Sequence, residues 1–286
     1  MILVTGATGT VGSLLVSALR AQDRQVRALV RNPAKAPDSW DAGVQLATAD
    51  FEDPKSLDAA VDGVEAVYVL CGTHPQMAEY ERHVFDAVIR SGAGPKVVLH
   101  SVVGVDQGPP NGRFAVAHVT AFDHLKSSGV ADWTVLAPGT YFQNLISLAS
   151  SIKAGVLAVP GGDGAVSYVD GSDIADVAAH VLTTDGHSGQ VYTLTGPEAV
   201  THAQIAAGLG KAAGHEVSYR DVAPEQVREG MLGAGVDAWT VDGLLELYEI
   251  YRAGHASRVS DAVPRLLGRP ARGLDDFATA HSAVFR

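Results

Sequence analysis

"VTGATGTVG", residues 4–12, decides the fold. Val4 and Thr5 close an apolar run that begins at Ile2, glycines recur at Gly6, Gly9 and Gly12, and a helical pattern opens at about Val11. A strand, a glycine turn and a helix are what a pyrophosphate requires: backbone N–H groups at a helix N-terminus, with no Cβ in the way. A glycine triplet alone also fits a tight turn that packs a helix on a strand. Its place directly after a strand, inside a strand–helix–strand unit, favours the phosphate reading.

Outward from this loop, short β-branched runs alternate with helical stretches. Strands are expected at 2–5, 26–30, 44–48, 66–70, 96–101 and 133–137, and helices from about Val11, near 56–61, over 77–91 and across "AVAHVTAFDHLK" (115–126). Continuous apolar strands alternating with helices predict a parallel sheet covered on both faces, a doubly wound α/β sheet. From about Tyr141 the pattern changes. "AVSYV" (165–169) and "QVYTLT" (190–195) read as strands, and "SDIADVAAHVL" (172–182) as a capped helix burying Ile174, Val177, Ala178 and Val181. The remainder reads as mostly helical. In "VDGLLELYEIYRAG" (241–254), Leu244, Leu247, Tyr248 and Tyr251 form a stripe suited to core or subunit contact, so a homodimer is one expectation. "GPPNG" (108–112) is a candidate mobile loop.

Composition narrows the partners. With 47% apolar and 19% charged residues in 286, the chain reads as globular and soluble, long enough for a large core. A net charge of −11 and no run of Lys or Arg argue against nucleic acid or an anionic membrane, leaving a small molecule as the expected partner. The single cysteine, Cys71, excludes an internal disulfide framework and fits a reducing cytoplasm. No apolar run has membrane-spanning length, and the chain opens on its first strand, leaving no room for a targeting segment.

The end of the second strand selects the dinucleotide: an acid there binds a ribose 2′-hydroxyl, whereas a basic residue accommodates a 2′-phosphate. "VRALVRNPAK" places Arg31 at that end and Lys35 close behind, with no acid between, so NADP(H) is expected over NAD(H).

"VTGATGTVG", "VRNP", "ADFEDPKSL" (49–57), "VVLHSVVGV" (97–105) and "LAPGTYFQN" (136–144) together resemble the NmrA-like branch of the atypical short-chain dehydrogenase/reductases. "YVDGSDIADVAAHVL" and "YTLTGPEAVTHAQIA" extend the resemblance over most of the chain, and residues after about Gly233 match less specifically. The resemblance implies a Rossmann domain over 1–140, to which later segments return, a smaller α/β C-terminal substrate domain over 141–286, and a cleft between them. It implies that Thr5, Gly6, Thr8, Gly9, Thr10 and Val11 hold the pyrophosphate, and Arg31, Asn32 and Lys35 the adenosine phosphate. Asp50 and Phe51 would flank the adenine; Cys71, Gly72 and Thr73 would end the fourth strand near the nicotinamide ribose. Ser101 would end the fifth, and Pro138 through Asn144, Phe142 included, would close over the nicotinamide.

Short-chain dehydrogenases generally use a Tyr with a Lys four residues later to supply the proton. On the family spacing, His118 stands where that Tyr would lie and Phe122 replaces the Lys, so standard carbonyl reduction is not expected. His118, Phe122 and Leu125 share one helical face, while Asp123 and His124 look to solvent. An imidazole ordinarily titrates near neutrality, so His118 is the candidate proton carrier, with Ser101 and Tyr141 as further candidate catalytic groups; a hydrogen-bonded core histidine is the competing reading. His74 also lies where it could reach a substrate. Glu79 and His83, at i and i+4, read as a surface pair, and no metal site is expected. The expected function is NADPH-dependent reduction of a quinone or other conjugated small acceptor. The alternatives are an NADP(H)-binding redox sensor that regulates a partner protein, and a tailoring reductase for imines or carbonyls.

Overall fold

A computed structural model describes residues 1–108 and 111–286, so part of "GPPNG" lies outside the described residues. The chain divides into two compact units, Met1–Pro138 with Ile174–Thr193, and Gly139–Asp173 with Leu194–Arg286.

In the first unit β1 (Ile2–Val4) leads through the glycine loop to α1 (Thr10–Arg20), then β2 (Val26–Val30) and β3 (Val44–Thr48). Next come α2 (Pro54–Val61), β4 (Ala66–Val69), α3 (Met77–Ser91), β5 (Lys96–His100), α4 (Arg113–Ser127) and β6 (Trp133–Pro138). The second unit opens with a 3₁₀ turn at Phe142–Leu148, α5 (Ala149–Lys153) and β7 (Val156–Val159). The chain then passes through α6 (Gly171–Thr183) and β8 (Gln190–Leu194). It continues with α7 (His202–Ala213), β9 (Ser218–Asp221), α8 (Pro224–Gly233), α9 (Ala238–Arg252), α10 (Ala262–Leu267), α11 (Leu274–Ala280) and α12 (Ser282–Phe285).

Seven strands form one sheet in the order β3-β2-β1-β4-β5-β6-β8, and the pairs from β3 through β6 are parallel. This is the doubly wound, Rossmann-type order, whose direction reverses between β1 and β4. β1 and β4 are buried along their whole length, which is why they read as unbroken apolar runs. β3 is an edge strand and leaves Leu46 40% exposed. The expected stripe on α6, Ile174, Val177, Ala178 and Val181, is fully buried.

The second unit packs Phe142 between Tyr168 and Phe277, with ring centroids 5.2 and 5.3 Å apart. Tyr251 belongs to the same core and Leu247 and Tyr248 pack against it, so this part of the α9 stripe is interior. One expectation fails here. "AVSYV" is no strand: Val166 bridges Val200 and Val169 bridges Tyr141, while Ser167 N donates to Ala256 O, so its hydrogen bonds go to three segments instead of one ladder. The parallel pair β7–β9, each strand four residues long, gave no signal that its length could carry.

Candidate active site

Parallel strands point their carboxyl ends to one edge of the first unit, and most of the expected site residues follow those ends. At the β1 exit the buried Thr5 hydroxyl donates to Leu70 O at 3.0 Å and accepts from Leu70 N at 2.8 Å, fastening the glycine loop to the end of β4. Gly6 has φ +61°, and a Cβ there would lie 2.8 Å from Leu70 O. A Cβ on Gly12 would lie 2.1 Å from Gly6 O. Both glycines are therefore demanded by close backbone approach. Gly9 is the N-cap of α1, and no side chain caps the helix, while Thr8, Gly9 and Thr10 are exposed. The first-turn amides and the positive end of the helix dipole thus face solvent, as an anion requires, while Val11 is buried and serves the core.

At the β2 exit Arg31 and Lys35 are exposed; Asn32 Oδ1 accepts from Ala34 N at 3.0 Å, so its side chain holds the turn. At the β3 exit Asp50 Oδ1 accepts from Glu52 N, and Phe51 is stacked on Tyr80, which stacks in turn on His74, at centroid distances of 6.1 and 5.3 Å. His83 Nδ1 lies 2.7 Å from Phe51 O and its Nε2 3.1 Å from Glu79, so the expected surface pair is also a brace for the loop after β3. At the β4 exit Cys71 is buried, its thiol pushed up to about 12 chiefly by burial, and Gly72 and Thr73 are exposed.

At the β5 exit Ser101 is 2% exposed, and its Oγ has no hydrogen-bond partner. His118, on α4, is half-buried; its Nδ1 is sealed from solvent and also unpartnered. Burial pushes this imidazole down to about 4, which favours the neutral form at pH 7. His100 is fully buried, bonded to the Tyr68 hydroxyl at 2.7 Å, and held down at about 3 by burial and by His118. Phe122 and Leu125 face the core as expected. Asp123 is exposed and pairs with Lys126 at 2.8 Å, but His124 is half-buried with a sealed Nδ1 rather than turned to solvent.

Pro138 ends β6, its carbonyl accepting from Val103 N at 2.9 Å. The rest of the expected nicotinamide segment belongs to the second unit. There burial pushes the Tyr141 phenol up to about 12, and Asn144 is exposed. Phe142 commits its ring to the core, 2% exposed, which leaves only its backbone for a ligand. Among the described residues no three His, Cys, Asp or Glu side chains cluster as a metal site would require, and no helix is long and apolar enough to cross a membrane. Sequence reasoning passed over Glu81, although a carboxyl on the apolar stripe of α3 was a readable signal.

The glycine loop and the open α1 terminus fit a dinucleotide, and the relatives agree. Residues 6–185 match the NAD(P)H-binding family. The chain belongs to that family. It is 37% identical to an NAD(P)H azoreductase of Xenophilus azovorans, over all of this chain and 99% of the other. The NADPH-dependent quinone oxidoreductase of Escherichia coli, solved with NADPH, has a TM-score of 0.86 at 29% identity, covering 98% of this chain and 99% of that one. A Citrobacter triphenylmethane reductase complexed with NADP(H) has a TM-score of 0.85 at 26% identity, with coverage of 98% and 99%. As a member of the NAD(P)H-binding family with such relatives, the chain is an NAD(P)H-dependent oxidoreductase.

Proposed function

We propose that the protein is an NADPH-dependent reductase of planar, conjugated electrophiles, quinones first and azo compounds with them, that works without a Tyr–Lys pair. The observation that carries this reading is at the β5 exit: two polar atoms sealed from water, Ser101 Oγ and His118 Nδ1, have no partner, and the imidazole is neutral. When bound, a reduced nicotinamide supplies a hydride equivalent.

The chain's own residues do the rest. The α1 amides behind Thr8, Gly9 and Thr10 receive the pyrophosphate, and Gly6 and Gly12 let the loop pack closely enough on β4 and α1 to present them. Arg31 and Lys35 offer two cations for a 2′-phosphate, while the Asn32 side chain is occupied, which supports NADP(H) over NAD(H). His118, whose ring is only half-buried, borders the acceptor, and the buried Ser101 stands behind it at the β5 exit. A neutral imidazole is a poor proton donor, so the acceptor must leave as a stable anion that water protonates. A quinone meets that condition, its product being a phenolate; an unactivated ketone, which yields an alkoxide, does not. The carboxyl ends of β1 through β6 then make up the proposed site. The quinone oxidoreductase name of one relative falls in that class of acceptor.

The test is a panel. Purified protein with NADPH is offered quinones, azo dyes, a triarylmethane dye and simple ketones, and NADPH oxidation is followed at about neutral pH. Turnover with conjugated acceptors and none with ketones is expected. NADPH binding without oxidation by any conjugated acceptor overturns the reading.

A further inference from the structure

Glu81 stands where the pattern of α3 requires an apolar residue. It falls four residues after Met77 and three and four before Val84 and Phe85, all of them buried, and is itself 0% exposed. A carboxyl in such a place needs a compensating role, because burying it is costly. Its Oε1 accepts the Cys71 N–H at 3.3 Å, and its Oε2 is sealed and unpartnered. Burial raises the carboxyl to about 8, opposed only by the Cys71 amide, so at neutral pH it is a neutral acid.

Its position joins it to the glycine loop. Leu70, the residue before Cys71, has both backbone groups engaged by the Thr5 hydroxyl. The exit of β4 is therefore held from the β1 side by Thr5 and from α3 by Glu81, and the exposed Gly72 and Thr73 leave from that fixed point.

We propose that Glu81 is a positioning residue for the dinucleotide: protonated, it anchors the Cys71 amide and sets the path of Cys71–Gly72–Thr73, and its deprotonation weakens cofactor binding. This rests on the reading that Cys71–Thr73 borders the cofactor. Ionisation would leave a carboxylate with one oxygen bare and no cation paired to it, which draws water into the α3–β4 contact and opposes an anionic ligand. Proton and dinucleotide then favour each other's binding.

The other titratable groups around it do not reproduce the effect. Cys71, on the β4 exit, has its thiol up at about 12; Arg31, from the β2 exit, acts on that thiol. The Tyr80 phenol is pushed up to about 12, first by its hydrogen bond to Glu52, and His118, on α4, is held at about 4. From the β3 exit, Asp50 turns to Glu52 N; on α3 itself His83 turns to Phe51 O and Glu79; from α2, Asp58 pairs with Arg90 at the surface.

NADPH affinity is measured by fluorescence titration from about pH 6 to about pH 9.5 on wild type, Glu81→Gln and Glu81→Leu, with thermal melts as the check on folding. Wild-type Kd is expected to be flat to about pH 7.5 and then to rise, by about tenfold at pH 9. Glu81→Gln keeps an acceptor for Cys71 N–H but cannot ionise, so its Kd matches wild type at pH 7 and stays flat. Glu81→Leu removes the acceptor and weakens binding about tenfold at every pH. A Glu81→Gln protein that keeps the alkaline rise, or a Glu81→Leu protein that binds as wild type does at pH 7, overturns the proposal. The readout is binding, so it stands apart from the acceptor panel, and Gly12→Val marks what loss of the phosphate loop looks like.

Discussion

At the start of α6 a fully buried carboxylate, Asp173, has both oxygens engaged: Oδ1 by the Arg269 and Arg272 guanidinium groups, Oδ2 by Arg272 N–H at 2.6 Å. Three residues earlier Asp170 Oδ1 accepts from Ser172 N and from Gln143 Nε2, and Gln143 Oε1 accepts from Gly171 N. The exits of β4 and β5 are built the other way. Six buried side-chain atoms lack partners among the described residues, and three of them, on Glu81, Ser101 and His118, stand at or beside those exits. An unpaired buried polar atom costs about 1–3 kcal/mol, so each of these three lowers stability where it stands. Around Asp170 and Asp173 the second unit uses its polar side chains to hold a segment in place; at the β4 and β5 exits the first leaves some uncommitted.

Gly12→Val attacks the uncommitted region hardest. A Cβ there already meets Gly6 O at 2.1 Å, so the loop must move, and NADPH affinity is expected to fall at least about a hundredfold. A titration that finds binding within threefold of wild type breaks the assignment of the loop.

Asp173→Ala is the counterpart in the other region. It removes the buried carboxylate that two guanidinium groups share, each about a third exposed, and should cost about 3 kcal/mol in urea denaturation while NADPH affinity changes less than twofold. Lost affinity with stability intact would reverse the contrast between the regions.

Arg31→Ala sharpens the cofactor end. Loss of a charge-assisted contact of about 1.5–3 kcal/mol raises the NADPH Kd at least about tenfold and leaves the NADH Kd unchanged. Equal effects on both dinucleotides would show that Arg31 does not read the 2′-phosphate.

The same division governs what was legible in sequence. β2, β3 and α3 were readable to the residue, because apolar periodicity persists for a whole element and glycine spacing reports backbone approach. In the second unit "AVSYV" shares its hydrogen bonds among separate segments and β7–β9 is only four residues long, so neither leaves a local pattern. Ring stacking committed Phe142 to the core, and no spacing rule distinguishes that from a ring over a cofactor. His118 was found by position, but its neutrality depends on burial, which a sequence does not display.

That neutrality yields the smallest and most discriminating effect. His118→Gln keeps a hydrogen-bonding group but not the imidazole, and should slow quinone turnover about tenfold with NADPH affinity unchanged. Because the folded imidazole stays neutral down to about 4, the kcat profile between about pH 5.5 and 8 should keep one shape in both proteins. Stability responds instead. Below the ordinary histidine value of about 6.5 the unfolded chain takes up protons that the folded chain refuses, so stability falls as pH drops through that value towards about 4. Removing His118 takes away its share of that loss, leaving acid denaturation less steep, while His100, held down first by its own burial and only then by His118, keeps most of its own. A kcat profile with an inflection near neutrality that vanishes in His118→Gln would instead make this imidazole a proton carrier, and the β5 exit a site of general acid catalysis.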